Sequence, residues 1–236
     1  MMIRTILGGI VGGCVIGGVV LPTLAPRVPI AQPITAAWAE DNSGSEFPGQ
    51  RVGGGTRGGC ARGVRPLIAL NPVTNLGVTA ATEPMLYFVM PSLGAEHLVE
   101  LLVLDDEGQI LYETRRAVPV AATLVGIEIP AAVLALEQPY HWYFAVLCDE
   151  ADPSQDLVVE GWLKRVAGSQ DLAEIQEEDI PTQLNQAAIA QAGAHWSDAI
   201  AILAALYQTY PDHPQVQAQW NQLLTDLGLD ALSALL

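Results

Sequence analysis

The hydrophobic pattern of this chain changes its period once, and that change limits the fold more than any other feature. From Leu67 to Arg165 apolar residues come in short runs divided by turn residues; beyond Val166 they recur at helical spacing. The runs are LIAL (67–70), MLYFVM (85–90), LVELLVL (98–104), QILYET (109–114), TLVGIEI (123–129), YHWYFAVLC (140–148) and LVVEGWLKR (157–165). NPVTNLG, DDEG, EQP and DEADPSQD separate several of them, and these segments are rich in the residues that tight turns select. Runs this short read as strands, and the pair 98–104 and 109–114 around Asp105-Asp106-Glu107-Gly108 reads as a β-hairpin. Seven strands within residues 67–166 predict an antiparallel β-sandwich. Leu134 stands six residues before Tyr140, with Pro139 between them. That spacing resembles the tyrosine corner of immunoglobulin-like domains and suggests a sandwich of that kind.

Residues 167–236 predict a helical subdomain, so the expected class is α+β. SQDLAEIQEE opens at Ser169 as N-cap, and PTQLNQAAIAQAG has Pro181 at a helix start and Gly193 at its end. SDAIAILAALYQTY takes Ser197 as N-cap and sets Ala199, Leu203 and Leu206 on one face. PQVQAQWNQLLTDLG places Val216, Trp220, Leu223, Leu224 and Leu227 at helical spacing, with Gly228 closing the helix. Ala199, Leu203, Leu206 and Pro211 match the second half of a tetratricopeptide unit, with Trp196 near its aromatic position; an ordinary helical hairpin fits as well. One such unit cannot bury both of its faces, so it must pack on the sandwich or on a partner.

Charge is unevenly spread. The formal net charge is −16, and all 26 acids lie at or after Glu40. Between Phe47 and Thr82 there is no acid, only Arg51, Arg57, Arg62 and Arg65 in the Gly- and Arg-rich arm 40–66. An acidic body with one small basic island is a poor footprint for nucleic acid, so no nucleic-acid partner is expected. Residues 1–39 carry an export signature: Arg4, the apolar run 5–25, and AWA at Ala37–Ala39 before Glu40. The reading favours a cleaved signal over an uncleaved membrane anchor through residues 5–25, with lipidation at Cys14 third. In an exported chain Cys60 and Cys148 form an even pair in an oxidising compartment, periplasmic or extracellular, and a disulfide between them is expected. Alternation along 140–148 points Tyr140, Trp142, Phe144, Val146 and Cys148 to one face, so the bridge would tie the arm to the core. On the chain-entropy model, closing this loop stabilises by roughly 4 to 5 kcal/mol.

Motifs for chemistry are sparse. Gly53-x-Gly55-x-x-Gly58 has the letters of a dinucleotide fingerprint without its context. EFPGQ rather than a strand precedes it, Pro66 stops any following helix, and no acid follows it until Glu83. No Gly-Lys-Ser/Thr and no G-x-S-x-G is present. His97, His141, His195 and His213 are not at ligand spacing, and the acidic turn Asp149, Glu150, Asp152, Asp156 lacks the spacing and glycine of an EF-hand. The expectation is no cofactor, no metal and no catalytic residue.

RVGGGTRGGC (51–60), LIALNPVTNLGVTAATEPMLYFVMP (67–91), YHWYFAVLCDEADPSQDLVVEGWLKR (140–165) and GAHWSDAIAILAAL leading to WNQLL occur in that order. In this thread the chain resembles the largely cyanobacterial domain of unknown function 928 family. Where that family commonly shows Gly-[IV]-Trp-Tyr-Asp-Ala, this sequence has Gly193-Ala-His-Trp196-Ser-Asp198-Ala199. The resemblance implies an exported, two-cysteine framework and supplies no reaction. The leading expectation is therefore a non-catalytic binding module of the cell envelope with a protein partner, contacted through Arg51, Arg57, Arg62, Arg65, Trp196 and Trp220. A membrane-anchored structural or assembly component is the alternative, and a hydrolase with an unrecognised site comes third.

Overall fold

The computed structural model describes residues 46–53, 59–170, 172–176 and 178–234. The apolar run 5–25, Cys14, Arg57, Gly55 and Gly58 lie outside the described residues. The strands are β1 (Ala61–Arg62), β2 (Ile68–Ala69), β3 (Leu76–Ala81), β4 (Met85–Val89), β5 (Ser92–Leu93), β6 (His97–Leu104), β7 (Ile110–Val118), β8 (Leu124–Glu128), β9 (Pro139–Leu147) and β10 (Leu157–Gln170). The helices are α1 (Leu172–Gln176), α2 (Ile180–Ala192), α3 (Trp196–Thr209) and α4 (Pro214–Asp226). The chain is thus α+β, with the helices C-terminal to the sheets.

One sheet has five strands in the order β3-β10-β9-β6-β7, a second has three in the order β2-β4-β8, and β1 pairs with β5. Alternation along β9 buries Tyr140, Trp142, Phe144 and Val146, and along β6 it buries Val99, Leu101 and Val103. Leu86, Phe88, Val125 and Ile127 of the smaller sheet close the same cluster from the other side. The Phe88 and Phe144 rings stack at 3.7 Å, and Phe88 meets Trp142 nearly edge-on at 5.7 Å. Burying each such side chain is worth roughly 1.5–3 kcal/mol.

The smaller sheet is covered on both faces, which is why MLYFVM and TLVGIEI read as unbroken apolar runs rather than alternating ones. Its second face, with Ile68, Tyr87, Val89 and Leu124, shares a cluster with Ile200, Leu203, Leu223 and Trp220 of the helices. α3 is the central helix and is buried almost all round, from Ser197 to Ala204. Burial of Tyr87 pushes its hydroxyl above the usual phenol range.

Some boundaries differ from the sequence expectation. β3 falls where only turn chemistry was expected, and it runs parallel to β10, while the other pairings between the described strands are antiparallel. Its residues Gly77, Thr79, Ala80 and Ala81 are small and carry no large alternating side chains. Gly77 lies against α3: a Cβ there would sit 2.5 Å from Ser197 Oγ. Ser169 does not cap a helix, because β10 continues through it to Gln170. Ser197 does not cap α3 either. The helix begins at Trp196 after His195, and Ser197 and Asp198 turn inward to the edge of β3.

Other helix ends follow their local chemistry. Asp179 caps α2 by accepting from Thr182 N at 2.9 Å, a bond that holds its carboxyl below the usual range. At the far end Gly193 is the cap, but the residue with positive φ is Ala194 at 58°. α4 ends in a Schellman arrangement: Gly228 N donates to Thr225 O and Leu229 N to Leu224 O, with Gly228 at φ 67°. Among the described residues, no helix is long and apolar enough to cross a membrane.

Candidate functional site

The arginine arm does not project as a unit. Arg51 is 2% exposed, and its Nη1 donates to Asn71 O at 2.9 Å and to Leu227 O. Leu227 is the cap residue of α4, and its carbonyl takes no part in the Schellman bonds. Arg51 therefore stitches the arm to the last helix and is removed from the set of surface contacts. Trp220 is also removed: it is 1% exposed and stacks on Tyr207 at 5.0 Å inside the helical core. Helical spacing had placed it among core leucines, and that signal was the better guide. Trp196 is half-buried against the same core, and Arg65 is half-buried, with desolvation lowering its pKa. Arg62 is exposed, and Arg57 lies outside the described residues.

The NPVTNLG turn supplies a buried polar knot beside Arg51. Asn71 Nδ2 donates to Asn75 O at 2.9 Å and to Asn75 Oδ1 at 3.0 Å, and Trp162 N donates to Asn75 O at 2.9 Å. Asn75 is fully buried at φ 60°, a conformation that asparagine tolerates better than most residues. Gly161 faces the knot, where a Cβ would overlap Trp142 Cζ2 and lie 2.7 Å from both Asn71 Nδ2 and Asn75 Oδ1.

Cys60 and Cys148 are joined, with S–S 2.05 Å and Cα–Cα 5.2 Å. The bridge fixes the arm at the end of β9 and lines an open groove of about 410 Å³ with Arg62, His97, Asp149 and Gln155. The acidic turn beside it is spent on its own backbone. Asp156 Oδ1 accepts from Cys148 N at 2.7 Å, and Asp149 Oδ1 from Ala151 N at 2.8 Å. Asp152 accepts from the Ser154 hydroxyl and from Gln155 Nε2, which hold its carboxyl below the usual range. His97 Nδ1 lies 3.1 Å from Leu147 O. Among the described residues, no group of three or more His, Cys, Asp or Glu is placed to hold a metal ion.

The outer face of the five-stranded sheet is the least expected surface. An antiparallel sheet with one solvated face usually alternates apolar-in and polar-out. Here Leu98, Val158 and Leu111 are 41%, 43% and 44% exposed, and half-buried Leu102, Tyr143 and Ala145 lie on the same face. At one end His141 stacks on Trp162 at 4.4 Å, with Nε2 3.0 Å from Glu160 Oε2. Trp162 Nε1 donates to Pro48 O at 2.9 Å, and Phe47 meets the same indole at 5.7 Å. Partial burial and the Glu160 carboxylate raise the Tyr143 pKa. Between Leu98 and Leu111, beside Leu102, Glu100, Arg115 and Glu113 form an ion-pair line, with Arg115 Nε 2.5 Å from Glu100 and Nη2 3.5 Å from Glu113. The legible signal for this face was LVELLVL, where leucines occupy both parities of a strand with one covered side.

Residues 52–235 match the family model described as Domain of Unknown Function (DUF928). No curated protein matches the chain.

Proposed function

The chain belongs to the DUF928 family, and from its own geometry we propose that it is an exported, non-catalytic interaction module of the cell envelope that docks a protein partner on the outer face of its five-stranded sheet. The observation that carries this reading is the exposure of Leu98, Leu111 and Val158 around Leu102 and Tyr143, since contiguous exposed apolar surface marks interaction sites. The non-catalytic part is supported by where the reactive groups are committed. His141 is held between Trp162 and Glu160, and the Asp198 carboxylate is turned onto β3. Export is supported by the Cys60–Cys148 bridge, a bond that persists in oxidising compartments.

Two finer points of architecture belong to this reading. Ala135 N donates to Tyr140 Oη at 3.0 Å between β8 and β9, which supports an immunoglobulin-like sandwich with a tyrosine corner. Helices α2 and α3, joined by three residues and sharing a cluster through buried Leu184, Ala187 and Leu203, support a tetratricopeptide-like unit docked on that sandwich.

The test is cross-linking in the native envelope with the wild type and with Leu98→Glu/Val158→Glu, Arg62→Gln running as a control variant. The reading expects one specific partner to be lost with the double substitution and kept with Arg62→Gln. Equal recovery by all three, or no specific partner for the wild type, counts against it.

A further inference from the structure

An open sheet edge is a template for another strand, and proteins close such edges with side chains, helices or short pairing segments. Three of the four edges of the two larger sheets are closed that way here. Beside β2, Val52 bridges Ile68, Gly53 N donates to Leu67 O at 2.8 Å, and Ala69 N donates to Arg51 O at 2.7 Å. Beside β3, Ala80 N donates to Asp198 Oδ2 at 2.8 Å and α3 packs along the strand. Along β8 alternate carbonyls each meet a side chain. Gln208 Nε2 donates to Leu124 O at 3.0 Å, Arg116 Nη2 donates to Gly126 O at 2.7 Å, and Tyr112 Oη lies 3.5 Å from Glu128 O. β7 is the fourth edge. Its 9 residues pair with β6 on one side, and among the described residues no hydrogen bond reaches the backbone of its other side.

That open strand is complementary to itself. Two copies run antiparallel about a twofold axis at Thr114 place Glu113 opposite Arg115 and Tyr112 opposite Arg116, each pair occurring at both ends of the dyad, and the bulge that leaves Leu111 unpaired between Tyr112 and Ile110 ends the regular register there. Glu113 and Arg115 lie on the outer face with side-chain exposures of 47% and 58%, so both are open to a facing strand. Arg115 is already oriented by Glu100 on β6. Sliding the register two residues either way sets Glu113 against Glu113 or Arg115 against Arg115, and like charges directly opposite destabilise a strand pair. A one-residue slip would match the outer face of one copy to the inner face of the other.

We propose that β7 pairs with β7 of a second copy of this chain, antiparallel and in register about Thr114, so that two five-stranded sheets join edge to edge. The interface is isologous, and its charge pairs select the register. The inference stands on the edge alone and does not require the outer-face partner.

Sedimentation velocity of the full exported chain, at concentrations reaching about 1 mM, tests it. The wild type is expected to dimerise with concentration. Glu113→Arg and Arg115→Glu each reverse two facing pairs, and each should weaken dimerisation about tenfold, given a few tenths to one kcal/mol per cross-strand pair. The double substitution restores opposite charges and should return dimerisation to within about threefold of wild type. A wild type that stays monomeric overturns the proposal. So does a dimer indifferent to the single reversals, or a double variant that folds and does not recover. Should a single variant fail to fold, hydrogen exchange of the wild type decides: the outward β7 amides must slow as concentration rises, and unchanged rates refute the pairing.

Discussion

Arg51→Met separates a structural arginine from a recognition arginine. Methionine keeps most of the apolar stem and removes the guanidinium, so the packing of the arm is largely preserved. Two main-chain carbonyls, Asn71 O and Leu227 O, lose their donor inside a site where Arg51 is 2% exposed. Hydrogen bonds to charged groups contribute about 1.5–3 kcal/mol each, and some relaxation with entering water lowers the sum, so a loss of about 3 kcal/mol is expected. For a domain of this size that corresponds to a fall in Tm of roughly 6–12 °C. Urea denaturation and calorimetry of the full chain read both quantities. Arg51→Lys should fall between, because one ammonium does not match the span of the guanidinium fork. Arg62→Met, on the exposed part of the arm, should stay within about 0.5 kcal/mol of wild type. An Arg51→Met loss no larger than that would refute the stitch and return Arg51 to the surface set.

Four further outcomes follow from the same geometry. Asp198 is buried against Thr79 and Ala80, and burial raises its carboxyl above the usual range despite those bonds and the nearby His195. The folded state then holds more protons than the unfolded state, from about pH 3.9, the unfolded Asp value, up to the folded value. Stability contributed by this group is full below that window and is lost as pH rises through it, and Asp198→Asn should flatten the slope in a pH series of urea melts. Ala194→Gly should stabilise by about 1 kcal/mol in calorimetry, since Ala194 sits at φ 58° where glycine carries no steric penalty. Replacing both Cys60 and Cys148 by Ala opens a loop with a sequence separation of 88 and should cost about 4 kcal/mol, read as the shift of the urea midpoint. Gly161→Ala should cost about 1–3 kcal/mol in the same assay, because the Cβ meets Trp142 and both asparagines of the knot.

What could be read from the sequence depended on the range over which each signal acts. The β6–β7 hairpin was legible because Asp105 and Gly108 act locally: Asp105 Oδ1 accepts from Glu107 N and Gln109 N, and Gly108 takes φ 79°. β9 was legible because its alternation reports a single buried face. β3 was hidden because a strand wedged between β10 and α3 needs small residues, and LGVTAA looks like a turn. Arg51 was not legible as a structural residue because its acceptors are main-chain carbonyls 20 and 176 residues away, and carbonyls leave no trace in residue identity. Ser197 satisfies the local rule for a cap, whereas the helix begins at Trp196 and the neighbouring Asp198 bonds the edge of β3.

The Arg51–Leu227 contact also orders events in time. A chain made from its N-terminus presents Arg51 early, yet the carbonyl it binds arrives 176 residues later. Until the end of α4 is made, the Arg51 guanidinium lacks one of its two main-chain acceptors, even where the backbone of Arg51 and Gly53 is already paired beside β2. Closure over so long a separation adds slow, non-local contacts to folding. The Arg51 side chain therefore completes its contacts only after the last helix has been delivered.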